Sequence, residues 1–256
     1  MKITGNTILI TGGGSGIGRG LAESFHALGN QVIIAGRRKR ALDEVTEITP
    51  GIRSIVLDVD DPVSLRLVVA GLAKDFPALN VLVNNAGIMR PENLLSQSDG
   101  LADAEATIRT NLLGPIRLTA ALLPQLRKQS RSTIMTVSSG LAFVPLAVTP
   151  TYCATKAAIH SYMQSLRYQL QGTTTDVVEL IPPYVATDLM DGASDPRAMP
   201  LGPFIAEVME ILTTQPEATE ICVERVKGLR FAAESGHYSS VFNGLNEAMA
   251  KQPATD

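Results

Sequence analysis

Tryptophan is absent from this 256-residue chain, and all aromatic residues together make up 4% of it. Proteins that hold single-stranded nucleic acid stack bases on aromatic side chains, so nucleic acid is not an expected partner. A surplus of one charge is lacking too: 22 basic residues against 25 acidic ones leave a formal charge of −3. No global field draws the chain to nucleic acid or to an anionic membrane. Cysteine occurs only at Cys153 and Cys222, too few for a disulfide scaffold, and no Cys/His cluster has metal-ligand spacing. His26, His160 and His237 are scattered, so each reads as structural or solvated before it reads as a ligand. Long apolar runs are missing as well. The longest uncharged stretch, Ser132 to Thr155, is interrupted by Ser138, Ser139, Pro145 and Pro150, a poor membrane span. Met1-Lys2-Ile3-Thr4-Gly5 runs straight into a strand-like segment without a cleavable apolar stretch. The chain is expected to be cytoplasmic, with no membrane, nucleic-acid or metal partner.

What is present suffices for one large core. Hydrophobic residues make up 45% of the chain and charged residues 18%, and a domain of about 250 residues buries roughly three quarters of its unfolded surface. Short β-branched runs occur at Thr7–Ile10, Gln31–Ile34, Ile52–Val59, Leu79–Val83, Thr133–Val137 and Asp176–Ile181. Each is near-continuously apolar, as in strands buried on both faces of a parallel sheet. Between them lie segments of helical period, such as Ile17-Leu21-Phe25-Leu28, Leu65-Val69-Leu72 and Ile116-Leu123. Strict alternation with right-handed crossovers predicts a single doubly wound α/β domain over 1–256, its sheet mainly parallel and its helices on both faces. After Ile181 the rhythm changes: Pro182, Pro183, Pro196, Pro200 and Pro203 crowd a segment with Gly192 and Gly202. Prolines end helices, so a loop-rich insertion is expected over 188–206, with a helix from about Phe204 to Thr213. Such loops are commonly lids over a site; a surface connector is the alternative.

Thr11-Gly12-Gly13-Gly14-Ser15-Gly16-Ile17-Gly18 follows the first strand and opens the first helix. Without a Cβ the backbone turns tightly and approaches a pyrophosphate seated on the helix N-terminus, the Rossmann arrangement. The position between buried strand and amphipathic helix favours that reading over a ligand-free turn. Gly12, Gly14, Ser15, Gly16, Ile17 and Gly18 are the candidates. An NAD site places Asp or Glu at the end of the second strand. Here Gly36 stands there, followed by Arg37, Arg38, Lys39 and Arg40. A carboxylate repels a 2′-phosphate, whereas a guanidinium clamps it with paired bonds. Lys39 and Arg40 read as a solvated helix start; Arg37, helped by Arg38, is the expected 2′-phosphate partner. NADP(H) is therefore the preferred cofactor, with NAD(H) as the alternative. Asp58, after the third strand, is expected to bond the adenine amino group, with Val59 beside it at the cofactor. Asn84-Asn85-Ala86-Gly87 closes the fourth, where open α/β sheets bind cofactors.

Tyr152 and Lys156 lie four apart at the start of a helical run, hence on one helix face. A free phenol, pKa about 10, is a poor base near neutrality, and a nearby cation lowers that value. Ser139, at the end of the fifth strand, is placed to hydrogen-bond the same substrate oxygen.

This set resembles the short-chain dehydrogenases/reductases, in their compact single-domain branch. The resemblance runs from Thr7 to about Asp188. It rests on the Thr11–Gly18 loop, Asp58, Asn84 to Gly87, Asn111, Ser139, Tyr152, Lys156 and Thr187. It implies Tyr152 as general acid/base, Ser139 holding the substrate oxygen, and Lys156 on the nicotinamide ribose. Asn111 would hold a water of the proton relay, Thr187 would bond the nicotinamide carboxamide, and Pro182 would border the cofactor. Strand alternation turns Ser138 to the other face, leaving Ser139 the catalytic serine. A homodimer or homotetramer is implied. Two departures stand out. Pro182-Pro183-Tyr184 replaces the family's usual Pro-Gly, so Pro183 removes an N–H and fixes φ. No glycine-rich final strand follows Gly228; the chain instead continues through Arg230 to Gly236 and ends amphipathically at Phe242-Leu245-Met249. Both departures are similar to a bacterial subgroup of DltE-like oxidoreductases.

The expected activity is NADP(H)-dependent interconversion of an alcohol and a ketone or aldehyde. A lapsed dinucleotide-binding sensor or scaffold is the opposing class, though it has no need of all four residues Asn111, Ser139, Tyr152 and Lys156. A nucleotide-sugar epimerase normally needs a larger C-terminal substrate domain. Ile88-Met89, Leu141 to Val144 and Leu189-Met190 predict an apolar pocket gated by Asp188 to Phe204, for a neutral, hydrophobic small molecule. Arg90 and Arg197 are the charges that could change this, and a subunit contact is the alternative use of the apolar residues.

Overall fold

The computed structural model describes residues 1–95, 101–190 and 195–250. Its strands are β1 (Thr7–Thr11), β2 (Gln31–Gly36), β3 (Arg53–Val56), β4 (Leu79–Asn84), β5 (Ser132–Val137), β6 (Thr175–Ile181) and β7 (Glu220–Cys222). They form one parallel sheet in the order β3-β2-β1-β4-β5-β6-β7. Helices α1 (Gly16–Ala27), α2 (Lys39–Ile48) and α7 (Leu201–Thr214) pack on one face through Leu21, Phe25, Val45, Phe204 and Val208. Helices α3 (Pro62–Asp75), α5 (Gly114–Leu126) and α6 (Pro150–Gln169) cover the other through Leu65, Leu72, Leu122 and Met163. Every residue of β1 and β5 is buried, as two covered faces require. Gly20 lets α1 and α7 meet: a Cβ there would lie 2.7 Å from Ile205.

Three expectations shift. The run Ile52–Val59 yields only the four-residue β3, with Arg53, Ser54 and Val56 exposed. It is an edge strand, so one of its sides has no neighbour and the two-faced burial of the centre does not reach it. A seventh strand, β7, pairs with β6 through Glu179↔Glu220 to Ile181↔Cys222 and lies before Gly228. The helix expected at Phe204 begins at Leu201, so the loop stretch ends at Pro200; positions 191–194 of that expectation fall outside the described residues. After β7 the chain forms α8 (Lys227–Arg230) and α9 (Tyr238–Ala250). A short α4 (Ala102–Ile108) leads through a π-helical turn, Arg109–Leu113, into α5. No helix among the described residues is long and apolar enough to cross a membrane.

Candidate active site

A cleft of about 1030 Å³ opens along the carboxyl ends of the strands, where the sheet order reverses at β1 and β4 and ligands of open α/β sheets bind. One end is built by joining those two strands. Thr11 Oγ1 accepts the N–H groups of Asn85 and Ala86 at 3.0 and 3.1 Å, while Asn85 Nδ2 donates to the Thr11 carbonyl at 2.9 Å. Gly12 then turns with φ +67°, and a Cβ on it would stand 2.8 Å from Asn85 Nδ2 and 3.0 Å from the Ala86 Cα. Glycine is required there by both conformation and space. Gly12, Gly14, Ser15, Gly16 and Ile17 line the cleft, with Val59, Asn85, Ala86 and Gly87 opposite. Gly18 lies behind: a Cβ on it would meet the Gly12 carbonyl oxygen at 2.4 Å, so it serves the packing of α1. The first turn of α1 carries no acidic residue and no side-chain cap, which leaves its N–H groups free for an anion. The arrangement fits the pyrophosphate of a dinucleotide.

The basic run divides by geometry. Lys39 and Arg40 are paired with Asp43 and Glu44 one turn along α2. Arg37 and Arg38 line the cleft, and Arg38 Nη2 donates to Ser15 Oγ at 3.0 Å. Asp58 does not line it; its Oδ1 accepts the Asp60 N–H at 3.0 Å.

At the other end stand Ser139, Tyr152 and Lys156, all buried and all lining the cleft. Pro150 opens α6 at a position that needs no N–H donor. Glu92 pins the same turn, taking bonds from Thr151 N and Oγ1 at 3.0 and 2.7 Å. Tyr152 and Lys156 therefore share a fixed helix face, with Lys156 Nζ 5.5 Å from the phenol ring centre. Nζ donates to the Val137 carbonyl at the end of β5, 2.8 Å away. Burial lowers the ammonium pKa to about 8, with Glu179 acting in opposition. The Tyr152 hydroxyl is pushed well above its usual value, first by burial, against a hydrogen bond to Ser139. Burial dominates the phenol here, and the expected lowering by Lys156 is not among the influences upon it. Asn111 lies in the π-helical turn, 2% exposed and off the cleft wall. Its Oδ1 accepts the Ile88 N–H and its Nδ2 donates to the Ile88 carbonyl, at 2.9 and 2.8 Å.

The family pattern described as short chain dehydrogenase matches residues 6–198. The chain belongs to the short-chain dehydrogenase family. It is thereby an NAD(P)-dependent dehydrogenase/reductase. It is 41% identical over 249 residues to the uncharacterised oxidoreductase DltE of Bacillus subtilis (strain 168), covering 96% of this chain and 98% of that one. A short chain dehydrogenase from Burkholderia cenocepacia J2315, solved with NADP, superposes with TM-score 0.80 at 21% identity, covering 99% and 100% of the two chains. The 3-ketoacyl-(acyl-carrier-protein) reductase of Brucella melitensis, solved with NADH, gives 0.77 at 25% identity over 88% of this chain and 100% of that one.

In this short-chain dehydrogenase Pro182, Pro183 and Thr187 line the cleft, and the Pro182 carbonyl accepts the Gly140 N–H at 3.0 Å. A Cβ on Gly16 would lie 3.1 Å from Thr187 Cγ2, so Thr187 closes over the glycine loop. Ser138 also borders the cleft, and its buried Oγ has no hydrogen-bond partner among the described residues. β5 ends at Val137, so strand alternation does not separate Ser138 from Ser139. Of the expected apolar wall, Ile88, Met89, Leu141, Leu189 and Met190 are present. Ala142, Phe143 and Val144 are not in it; Phe143 packs edge-on against His160. Phe204 is in the core rather than the gate. Arg90 is away from the cleft, paired with Asp103, and Arg197 is in it but clasped by Asp195 at 2.6 Å.

The wall that the sequence reading missed is α9. Leu245 and Met249 line the cleft and pack with Leu146 and Tyr152. Asn246 latches the helix, accepting the Ala147 N–H at 2.6 Å and donating to the Pro145 carbonyl at 3.2 Å. The apolar spacing Phe242-Leu245-Met249 was the signal, but spacing alone does not say which surface a terminal helix covers.

Proposed function

We propose that this protein is an NADP(H)-dependent oxidoreductase interconverting a neutral, apolar alcohol with its ketone or aldehyde. One observation carries the reading: a single cleft has a glycine cradle flanked by Arg37 and Arg38 at one end and Ser139, Tyr152 and Lys156 at the other. Gly12, Gly14, Ser15, Gly16 and Ile17 would hold the pyrophosphate, with Arg37 and Arg38 at the 2′-phosphate. Val59, Asn85 to Gly87, Lys156, Pro182 and Thr187 would border the rest. Asp58 and Gly18 act from behind this wall, on the turn after β3 and on the seating of α1. When bound, the nicotinamide supplies or accepts the hydride at the substrate carbon.

The chain's own residues handle the proton. Burial keeps the Tyr152 hydroxyl protonated, so in reduction it donates to the oxygen as the hydride arrives, and in oxidation it takes the proton back. Ser139 hydrogen-bonds that oxygen and orients it against Tyr152. Lys156 holds positive charge beside the phenol and bonds the cofactor ribose. Asn111 fixes the Ile88 backbone and completes the relay behind Lys156. The substrate lies against Met89, Leu141, Leu146, Leu245 and Met249, and the described part of 188–206 gates it. Arg197 is neutralised by Asp195, which supports a neutral substrate, since an unpaired charge buried there is costly. We place the protein in the cytoplasm as one catalytic domain, assembled as a homodimer or homotetramer. Exposed apolar residues outside the cleft, such as Leu67 and Tyr168, support an assembled form.

The test is a panel of neutral and carboxylated ketones and aldehydes of matched size, assayed with NADPH and NADH. Turnover of neutral members, faster with NADPH, is the expected result. Cofactor binding without turnover of any member would favour a scaffold. A preference for anions that vanishes in Arg197→Ala would overturn the neutral pocket.

A further inference from the structure

Glu179 is the buried charge that the mechanism above leaves unused. It sits in β6, fully inaccessible, at a sheet position where parallel strands normally carry apolar residues. Its carboxylate meets His160 Nδ1 at 2.8 and 3.1 Å. His160 Nε2 in turn lies 3.0 Å from Gln164 Nε2. Glu179 and Gln164 thus hold the imidazole from its two nitrogens, which fixes the carboxylate against α6.

The other charged groups around it are committed elsewhere. On β7, Glu220 faces Glu179 in register but is held by Arg230 at 2.7 Å, and Arg230 is shared with Glu234 at 2.6 Å. Of the group His160, Glu179 and Glu220, whose ligand atoms lie within 4.8 Å of one another, Glu220 is thus already paired with a guanidinium. Cys222, on β7, is a thiol that burial pushes up to about 11, and Thr136, opposite Glu179 on β5, is uncharged. Arg167, also on α6, spends its guanidinium on the Val177 and Thr219 carbonyls, and Lys156 lies one helical turn before His160 on the same helix. Its Nζ rests on the Val137 carbonyl, on the strand paired with β6.

We propose that Glu179, fastened by His160, is a positioning residue for Lys156: it supplies the negative charge that keeps the buried ammonium protonated and directed at Tyr152. The carboxylate is what opposes desolvation of Lys156. This rests on the reading of Lys156 given above, but its test separates the two.

Glu179→Gln keeps the shape and the acceptor for His160 while removing the charge. Lysine ε-carbon NMR on the cofactor-free protein, with Lys156 assigned by the signal lost in Lys156→Met, reads the titration directly. The expected result is a Lys156 midpoint moved to lower pH in Glu179→Gln. Alongside it, kcat/KM relative to wild type should fall further at pH 8 than at pH 6. Should the Gln variant not fold, Glu179→Asp retracts the charge by one methylene and must move the midpoint in the same direction by less. An unchanged midpoint overturns the proposal. A moved midpoint with a ratio of kcat/KM independent of pH upholds the Glu179–Lys156 coupling and instead removes Lys156 from the catalytic account.

Discussion

Carboxylates stand four residues beyond Lys39 and Arg40, at Asp43 and Glu44; the sequence reads these two cations as a solvated helix start, and the structure adds the reason. That spacing closes ion pairs on a helix surface, and the structure contains them. Arg37→Ala is expected to lower kcat/KM with NADPH by about 10- to 150-fold, the loss of a charge-assisted bond of about 1.5–3 kcal/mol. NADH should change little, and equal losses for both cofactors would contradict the 2′-phosphate assignment. Gly12→Ala forces a side chain into left-handed backbone and toward the Ala86 Cα. It should cost at least about 1–2 kcal/mol in urea unfolding and weaken NADPH binding; an unaltered protein would show the cradle to be looser than described. What spacing does not reveal is burial. Tyr152 and Lys156 were recognisable as a pair, yet the direction of the phenol's shift follows from desolvation in the folded state. Lys156 rather than Tyr152 thus titrates in the working range. Its charge is present below about pH 8 and lost above it, so reductive kcat/KM should decline above that pH, by about tenfold per unit once the proton is off. A profile flat through pH 9 would contradict this.

Among the elements, the central strands were legible because two covered faces demand continuous apolar runs. β7 was not: it has three residues, of which only Ile221 is buried, and so short a run carries no period. The site elements divide the same way. The glycine loop announces itself because its chemistry is local, whereas α9 reaches the cleft through tertiary contacts with Leu146 and Tyr152. Its role can be isolated at Asn246. Asn246→Ala removes two latching bonds, each worth about 0.5–1.5 kcal/mol. The expected outcome is a KM about tenfold higher for bulky apolar carbonyls with NADPH affinity unchanged. Steady-state kinetics and cofactor titration check it, and an unchanged KM would leave α9 as a cover without influence on substrate.

For the molecule as a whole, the cofactor cleft draws on loops after β1, β2, β3, β4, β5 and β6, so occupancy ties together both halves of the sheet. NADPH at a hundred times its Kd should stabilise the fold by about 2.7 kcal/mol, or roughly 5–10 °C in Tm for a chain of this size. A thermal melt that does not respond to NADPH would deny the cleft its cofactor. The central claim, that one buried phenol exchanges the proton while the rest of the cleft holds the reactants, is tested most directly by single-turnover reduction of an active carbonyl in Tyr152→Phe. Loss of reduced-nicotinamide absorbance gives the rate, deuterated NADPH verifies that hydride transfer limits it, and cofactor titration is run in parallel. The account predicts a rate lower by roughly 10²–10⁴-fold with NADPH binding as in wild type; a rate close to wild type, with hydride transfer still limiting, would contradict it.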